Sequence, residues 1–321
     1  MRETGIEHEA QELRFHRLHF FRAVMLRFKL EKLVQGVCLK MNIETIAMIG
    51  SGVMGRGIAQ SAAAAGYQVL LHDTSPTQLQ TALQAIEADL EEGIRRNKVT
   101  EEEKRRVLQR IGTSDSLHVA ASADFVIEAI PEILEWKQEL FAHLDAICKA
   151  DAILATNTST MSPTQIGAAT KSPHRVIAMH FFNPVPRMKL VEIVRGLDTS
   201  DATYEATRHV AERMGKETVE VNEYPGFITS RMNCLIGNEA MRMLQEGVAS
   251  AEDIDKAIKL GLHHPMGPLE LADLVGLDAR LKNMQYLYEK LGETYRPAPI
   301  LEKYVAAGRL GRKSGRGFYE Y

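Results

Sequence analysis

The chain has 321 residues, 45% hydrophobic and 25% charged, which suits a globular protein long enough for two domains with separate cores. A net charge of −3 gives no reason to expect nucleic acid or an anionic membrane as partner, and no apolar run reaches the length of a membrane helix. Cys38, Cys148 and Cys234 are scattered and in no metal spacing, so a reduced, cytoplasmic setting without a bound metal is expected.

Residues 1–40 differ in character from the rest of the chain. Residues 14–22 mix bases with aromatics, yet Glu3, Glu7, Glu9 and Glu12 are wrong for a transit sequence. The apolar stretches are too broken for a secretory signal. The segment reads as an N-terminal extension, disordered or upstream of a true start at Met41, and dispensable.

A buried strand, Thr45-Ile46-Ala47-Met48-Ile49, runs straight into Gly50-Ser51-Gly52-Val53-Met54-Gly55, and a helix continues to a stop at Gly66. A second strand over 68–72 ends in Asp73, roughly 20 residues past the glycines, the spacing of an acid that binds an adenosine ribose. Gly50 makes the tight turn, Gly52 lets the backbone approach a pyrophosphate, and Gly55 allows close helix–strand packing. The helix N-terminus, at Val53 and Met54, offers unpaired N–H groups to the phosphates. In this order the features define a dinucleotide-binding module. Asp73 argues for NAD over NADP, because a carboxylate repels a 2′-phosphate.

Residues 77–110 read as two charged helical segments broken near Asn97, a helical hairpin inserted after the second strand, with a capping box at Thr100-Glu101-Glu102-Glu103. Its bases Arg95, Arg96, Lys98, Lys104 and Arg105 form either a solvated face or a contact for an anionic substrate handle. Parallel-sheet grammar resumes with strands in 123–130 and 152–156, a helix between them. Ligands of open α/β sheets bind beyond the carboxyl ends of strands, which marks Pro131-Glu132 and Asn157-Thr158-Ser159-Thr160. Both could be plain turns, but their position relative to the glycine loop favours a functional role.

A further apolar strand over 175–179 delivers His180 to its end, and Asn183-Pro184-Val185-Pro186 stops it. Leu190-Val191-Glu192-Ile193-Val194 reads as another buried strand with one carboxylate in its middle. Such a carboxylate is costly unless a cation or hydrogen-bond donor meets it, and His180 is the nearest candidate. A histidine oriented by a carboxylate is the usual build of a general base. The plain alternative is that His180 is one of eleven histidines and Glu192 faces solvent.

After Tyr224-Pro225-Gly226 the pattern turns helical, with helices over 227–245, 251–260, 268–275 and 279–291. The expected fold is α/β: a Rossmann-type, mostly parallel sheet over residues 41–223 with the inserted hairpin, then an all-α domain over 224–321. Met232, Leu235, Ile236, Ala240, Met243 and Leu244 form a broad apolar stripe, core by default but wide enough for subunit pairing.

Together, the glycine loop with Asp73, Asn157-Thr158-Ser159, His180-Phe181-Phe182-Asn183-Pro184-Val185-Pro186 and Lys189-Leu190-Val191-Glu192 resemble the 3-hydroxyacyl-CoA dehydrogenase family. The likeness continues through Pro225-Gly226-Phe227, His264-Pro265-Met266-Gly267-Pro268 and residues 311–319, and is nearest to the short bacterial members that act on 3-hydroxybutyryl-CoA. It implies reversible, NAD-dependent oxidation of an L-3-hydroxyacyl-CoA, as in fatty-acid β-oxidation and butanoate metabolism, by a homodimer paired through the helical domain. By the same resemblance His180 is the base, Glu192 supports it, and Ser159 binds the substrate oxygen. Glu132, Lys137, Asn157, Asn183 and Lys313 help hold the cofactor. In one place the chain departs from the family pattern: Ser230 stands where an asparagine usually contacts the substrate, and serine reaches less far. Asn233, one helical turn on, lies beside that spot. Two other readings stay open, a dehydrogenase of a free hydroxy or sugar acid such as L-gulonate, and a catalytically silent NAD-binding scaffold.

Overall fold

A computed structural model describes residues 42–321; the expectations for residues 1–40 lie outside this range. Eight strands form one sheet in the order β3-β2-β1-β4-β5-β6-β7-β8. They span Thr45–Ile49 (β1), Gln68–His72 (β2), Ile111–Ser114 (β3), Phe125–Glu128 (β4), Ile153–Thr156 (β5), Val176–Phe181 (β6), Leu190–Arg195 (β7) and Glu217–Asn222 (β8). Every neighbouring pair is parallel except β6 and β7. Only there is the connection too short to cross over the sheet, so the chain must turn back.

The central strands are apolar except at their carboxyl ends, and buried, because helices cover both faces. On one side Ile46, Met48, Ile127 and Ile177 pack with Ile58 of α1 (Val53–Ala64), Leu79 and Ile86 of α2 (Pro76–Arg95) and Val210 of α6 (Asp201–Arg213). On the other, Ala47, Ile49, Val126 and Leu154 meet Phe141 and Leu144 of α4 (Leu134–Ile147) and Ile166 of α5 (Pro163–Gly167). The hairpin is α2 with α3 (Glu101–Gln109), whose capping box at Thr100 and Glu103 is formed as expected. Arg95 and Arg96 both bond Glu92, and Lys104 bridges Glu87 and Glu91, which favours the solvated-face reading of those bases.

A second apolar core belongs to the helical part, built on α7 (Thr229–Gln245), α8 (Ala251–Gly261), α9 (Pro268–Val275), α10 (Leu277–Leu291) and α11 (Pro299–Ala306). The helix expected from residue 227 begins two residues later. Phe227 has φ +51, a left-handed conformation that cannot start a right-handed helix. The face of α7 that is buried carries Cys234, Gly237, Asn238, Ala240 and Met241, whereas Met232 is exposed. The stripe read from the sequence is thus only partly covered by the chain's own core. No helix among the described residues is long and apolar enough to cross a membrane.

Candidate active site

The glycine turn sits where the strand order reverses, between β1 and β4, the point at which open α/β sheets bind ligands. Gly50 has φ +95, and a Cβ there would lie 2.7 Å from the Ala129 carbonyl oxygen at the end of β4. A Cβ on Gly55 would strike the Gly50 carbonyl at 1.8 Å, so helix α1 can approach the turn only because that residue is glycine. Gly52 is different: a Cβ there would meet nothing within 4 Å. Its bare backbone faces open space at the N-terminus of α1, beside the exposed Val53 and half-buried Met54, which fits close approach of a pyrophosphate.

Asp73 follows β2 and is tied to the same turn. Its Oδ2 accepts from the Ser51 N–H at 2.9 Å and the Ser51 hydroxyl at 2.8 Å, and its Oδ1 accepts from the Ser75 N–H. Burial raises the Asp73 carboxyl, but these hydrogen bonds outweigh it and hold the group below its ordinary value. An ionised carboxylate with lone pairs remaining at the end of β2 fits a ribose diol.

His180 and Glu192 stand directly opposite each other in the antiparallel pair of β6 and β7. Nδ1 of His180 lies 2.6 Å from Oε2 of Glu192. A carboxylate only accepts, so Nδ1 carries a proton, and in the neutral ring Nε2 has the lone pair. Glu192 is fully buried and receives two more donors, the Thr229 N–H on Oε1 and the Thr229 hydroxyl on Oε2, each at 2.9 Å. Burial raises the Glu192 carboxyl, yet the bonds from His180 and Thr229 prevail and keep it below the usual glutamate range. The His180 ring lies against Phe182 and Phe227, with centroids 4.4 and 6.0 Å away. A buried imidazole with one nitrogen locked and the other free can accept a proton from a bound hydroxyl.

Around this pair the ends of β4, β5 and β6 converge. Asn157 Oδ1 accepts from the Phe181 N–H at 3.1 Å, tying the turn that carries Ser159 to the end of β6. Glu132 accepts from the Thr158 hydroxyl at 2.8 Å and the Ser159 N–H at 3.0 Å. Lys137 is fully buried, 2.6 Å from Glu128 and 3.3 Å from Glu132. Asn183 is exposed on the loop after β6. The buried Lys216 fastens that loop by donating to the carbonyls of Val185 and Met188.

From the helical part, Ser230 follows Thr229 in the first turn of α7, which brings it to the same end of the sheet. Lys313 pairs with Asp278 on α10, and Lys282 of that helix comes within 3.5 Å of the Glu132 carbonyl. The inventory drawn from the sequence lacked Thr229 and Glu128. Glu128 carried the signal that singled out Glu192, an acid in an apolar strand. Thr229 carried none, because its contact spans two cores.

A doubly wound sheet with this glycine turn, an acid closing its second strand and an oriented histidine at the carboxyl end of β6 define a nicotinamide-dependent dehydrogenase. Residues 45–224 match the NAD binding domain of 3-hydroxyacyl-CoA dehydrogenase, and residues 226–321 match the C-terminal domain of the same enzyme. The chain belongs to the 3-hydroxyacyl-CoA dehydrogenase family. It is 50% identical over 282 residues to a probable 3-hydroxybutyryl-CoA dehydrogenase of Bacillus subtilis, covering 88% of this chain and 98% of that one. It is 47% identical over 280 residues to 3-hydroxybutyryl-CoA dehydrogenase of Bradyrhizobium diazoefficiens, covering 87% and 96% of the two chains. Among solved structures, (S)-3-hydroxybutyryl-CoA dehydrogenase from Ralstonia eutropha superposes with a TM-score of 0.85 at 43% identity, over 87% of this chain and 99% of that one.

Proposed function

We propose that the protein oxidises L-3-hydroxybutyryl-CoA to acetoacetyl-CoA, reversibly, with NAD as partner. The observation that carries this reading is the buried His180–Glu192 pair, with its free Nε2 held at the carboxyl end of a dinucleotide-binding sheet. The names of the relatives supply the substrate class.

Bound NAD supplies the hydride acceptor, and the rest of the chemistry falls to side chains of this chain. His180 Nε2 takes the proton of the 3-hydroxyl, and in the reverse direction returns it. Glu192 stays ionised, keeps Nδ1 protonated and stabilises the imidazolium as it forms. The Ser159 hydroxyl donates to the substrate's 3-oxygen, and Ser230 offers one hydrogen bond toward the acyl thioester. Gly50, Gly52, Val53, Met54 and Gly55 receive the pyrophosphate and Asp73 the adenosine ribose. Glu132, Asn157, Asn183 and Lys313 complete the cofactor groove, with Lys137 buried beside Glu132.

In this reading residues 41–223 form the cofactor domain and 224–321 the substrate and pairing domain. The working form is a cytoplasmic homodimer joined through the incompletely covered stripe of α7. A chain starting at Met41 keeps full activity and melting temperature. The deciding experiment assays the purified enzyme with acetoacetyl-CoA and NADH against free acids such as acetoacetate. Turnover of the thioester at least 100-fold faster is expected, and preference for a free acid would refute the assignment.

A further inference from the structure

Glu128 ends β4 as a fully buried acid that takes no direct part in the proposed proton and hydride transfer. Its Oε1 accepts from the Lys137 ammonium at 2.6 Å and the Ile130 N–H at 2.7 Å, and its Oε2 accepts from the Thr156 hydroxyl at 2.7 Å. Burial pushes the carboxyl up, against the lysine and these hydrogen bonds. Lys137, equally buried, reaches on to Glu132 at 3.3 Å. Glu132 in turn receives the Thr158 hydroxyl and the Ser159 N–H.

These contacts make a continuous chain from the floor of the sheet to the turn carrying Ser159. Glu128 grips that turn from both ends, directly through Thr156 and indirectly through Lys137 and Glu132. A buried ion pair is a poor way to gain stability, because apolar residues of similar volume do as well or better. What it supplies is direction: Glu128 has three donors to meet at once, and Lys137 is held between it and Glu132, whose Oε2 it faces as an ion pair without a hydrogen bond.

We propose that Glu128 and Lys137 are a positioning pair, which sets the Ser159 hydroxyl against the reacting oxygen of the substrate. This rests on the proposed role of Ser159 as a donor to the 3-oxygen. It goes further by assigning a function to Glu128 and by moving Lys137 from cofactor contact to support of the substrate side. A displacement of about 1 Å at a reacting group can cost on the order of 100-fold in rate, so a pair remote from the substrate can matter.

The test is a cycle of variants assayed with acetoacetyl-CoA and saturating NADH: Ser159→Ala, the double variant Glu128→Leu with Lys137→Met, and all three changes together. The double variant removes both charges at similar volume and is expected to melt within a few degrees of the parent. Its kcat should fall roughly 10- to 100-fold. Adding Ser159→Ala should lower it little further, since both changes remove one interaction. If the double variant does not fold, Glu128→Gln, which keeps shape and most hydrogen bonds, is read through the same cycle. Three results overturn the proposal: full multiplication of the two losses, an unchanged kcat, or a loss confined to NADH affinity. The reading of Ser159 itself has a separate failure, a Ser159→Ala enzyme with parental turnover.

Discussion

Thr229 donates to both oxygens of Glu192, with its N–H on Oε1 and its hydroxyl on Oε2. The first residue of α7 thereby completes a pair that belongs wholly to the sheet, so the helical part holds the base in register as well as covering it. Thr229→Val keeps the branched shape and removes the hydroxyl. It should destabilise the protein by about 1.5–3 kcal/mol, the worth of one hydrogen bond to a charged group, since Oε2 keeps its His180 donor, and slow turnover. Thermal melting together with kcat checks this; a variant that loses stability at unchanged kcat would separate the contact from the chemistry.

His180→Gln should lower kcat by roughly 100- to 10,000-fold while NADH still binds. Glu192→Gln should also slow turnover, and combining the two should add little, because both serve one proton transfer. Single-variant and double-variant kcat, with NADH binding followed by its fluorescence, decide the matter. Near-parental turnover in His180→Gln would assign the proton to another group.

The Glu192 carboxyl is held below its ordinary value in the folded protein by His180 and Thr229, despite burial. A group whose folded value is depressed contributes stability above its unfolded value, about pH 4.3, and loses it as pH falls through the folded value. The melting-temperature gap between the parent and Glu192→Gln should therefore be largest near neutrality and close in acid. A gap that stays constant down to about pH 3, below the unfolded value, would mean that the carboxylate's charge contributes nothing to folding.

Cofactor choice rests on Asp73, anchored by Ser51 and Ser75 at the end of β2. kcat/KM with NADH should exceed that with NADPH, and Asp73→Ala should narrow the difference. Equal values for the parent enzyme would remove the carboxylate's role in discrimination.

Arg280 of α10 is only 3% exposed, and its Nε and Nη2 have no hydrogen-bond partner among the described residues. Its Nη1 meets nothing better than the Cys234 sulfur at 3.4 Å. Arg280→Met retains the apolar stem and removes the unmet donors, so stability should rise by about 1–3 kcal/mol. A denaturant melt measures this, and a marked loss of stability would reveal a partner for the guanidinium.

Much of the fold and site was legible in the residue order because it is local. The glycine turn, Asp73, the capping box at Thr100 and the strands and helices read from the pattern each depend on neighbours in sequence and are formed, whereas β3, β8, α6 and α11 were not read from it. His180 and Glu192 could be proposed as partners from the cost of a lone acid in an apolar strand. What made the pairing definite is the antiparallel register of β6 and β7, in which a slip of one residue would have turned one of them to the other face.

Beyond that, only the tertiary structure decided. Phe227 gives no sequence sign of its left-handed backbone, and α7 starts later than its apolar pattern suggests. Lys137 is marked in the sequence only by the family resemblance, and its burial against Glu128 follows from the packing of β4 and α4. Thr229 reaches Glu192 across 37 positions of chain, between two separate hydrophobic cores. Periodicity and spacing record which face of an element is apolar and where it begins or ends. They do not record which elements meet, because long-range contacts are chosen by packing and by the pairing of buried polar groups after the elements have formed.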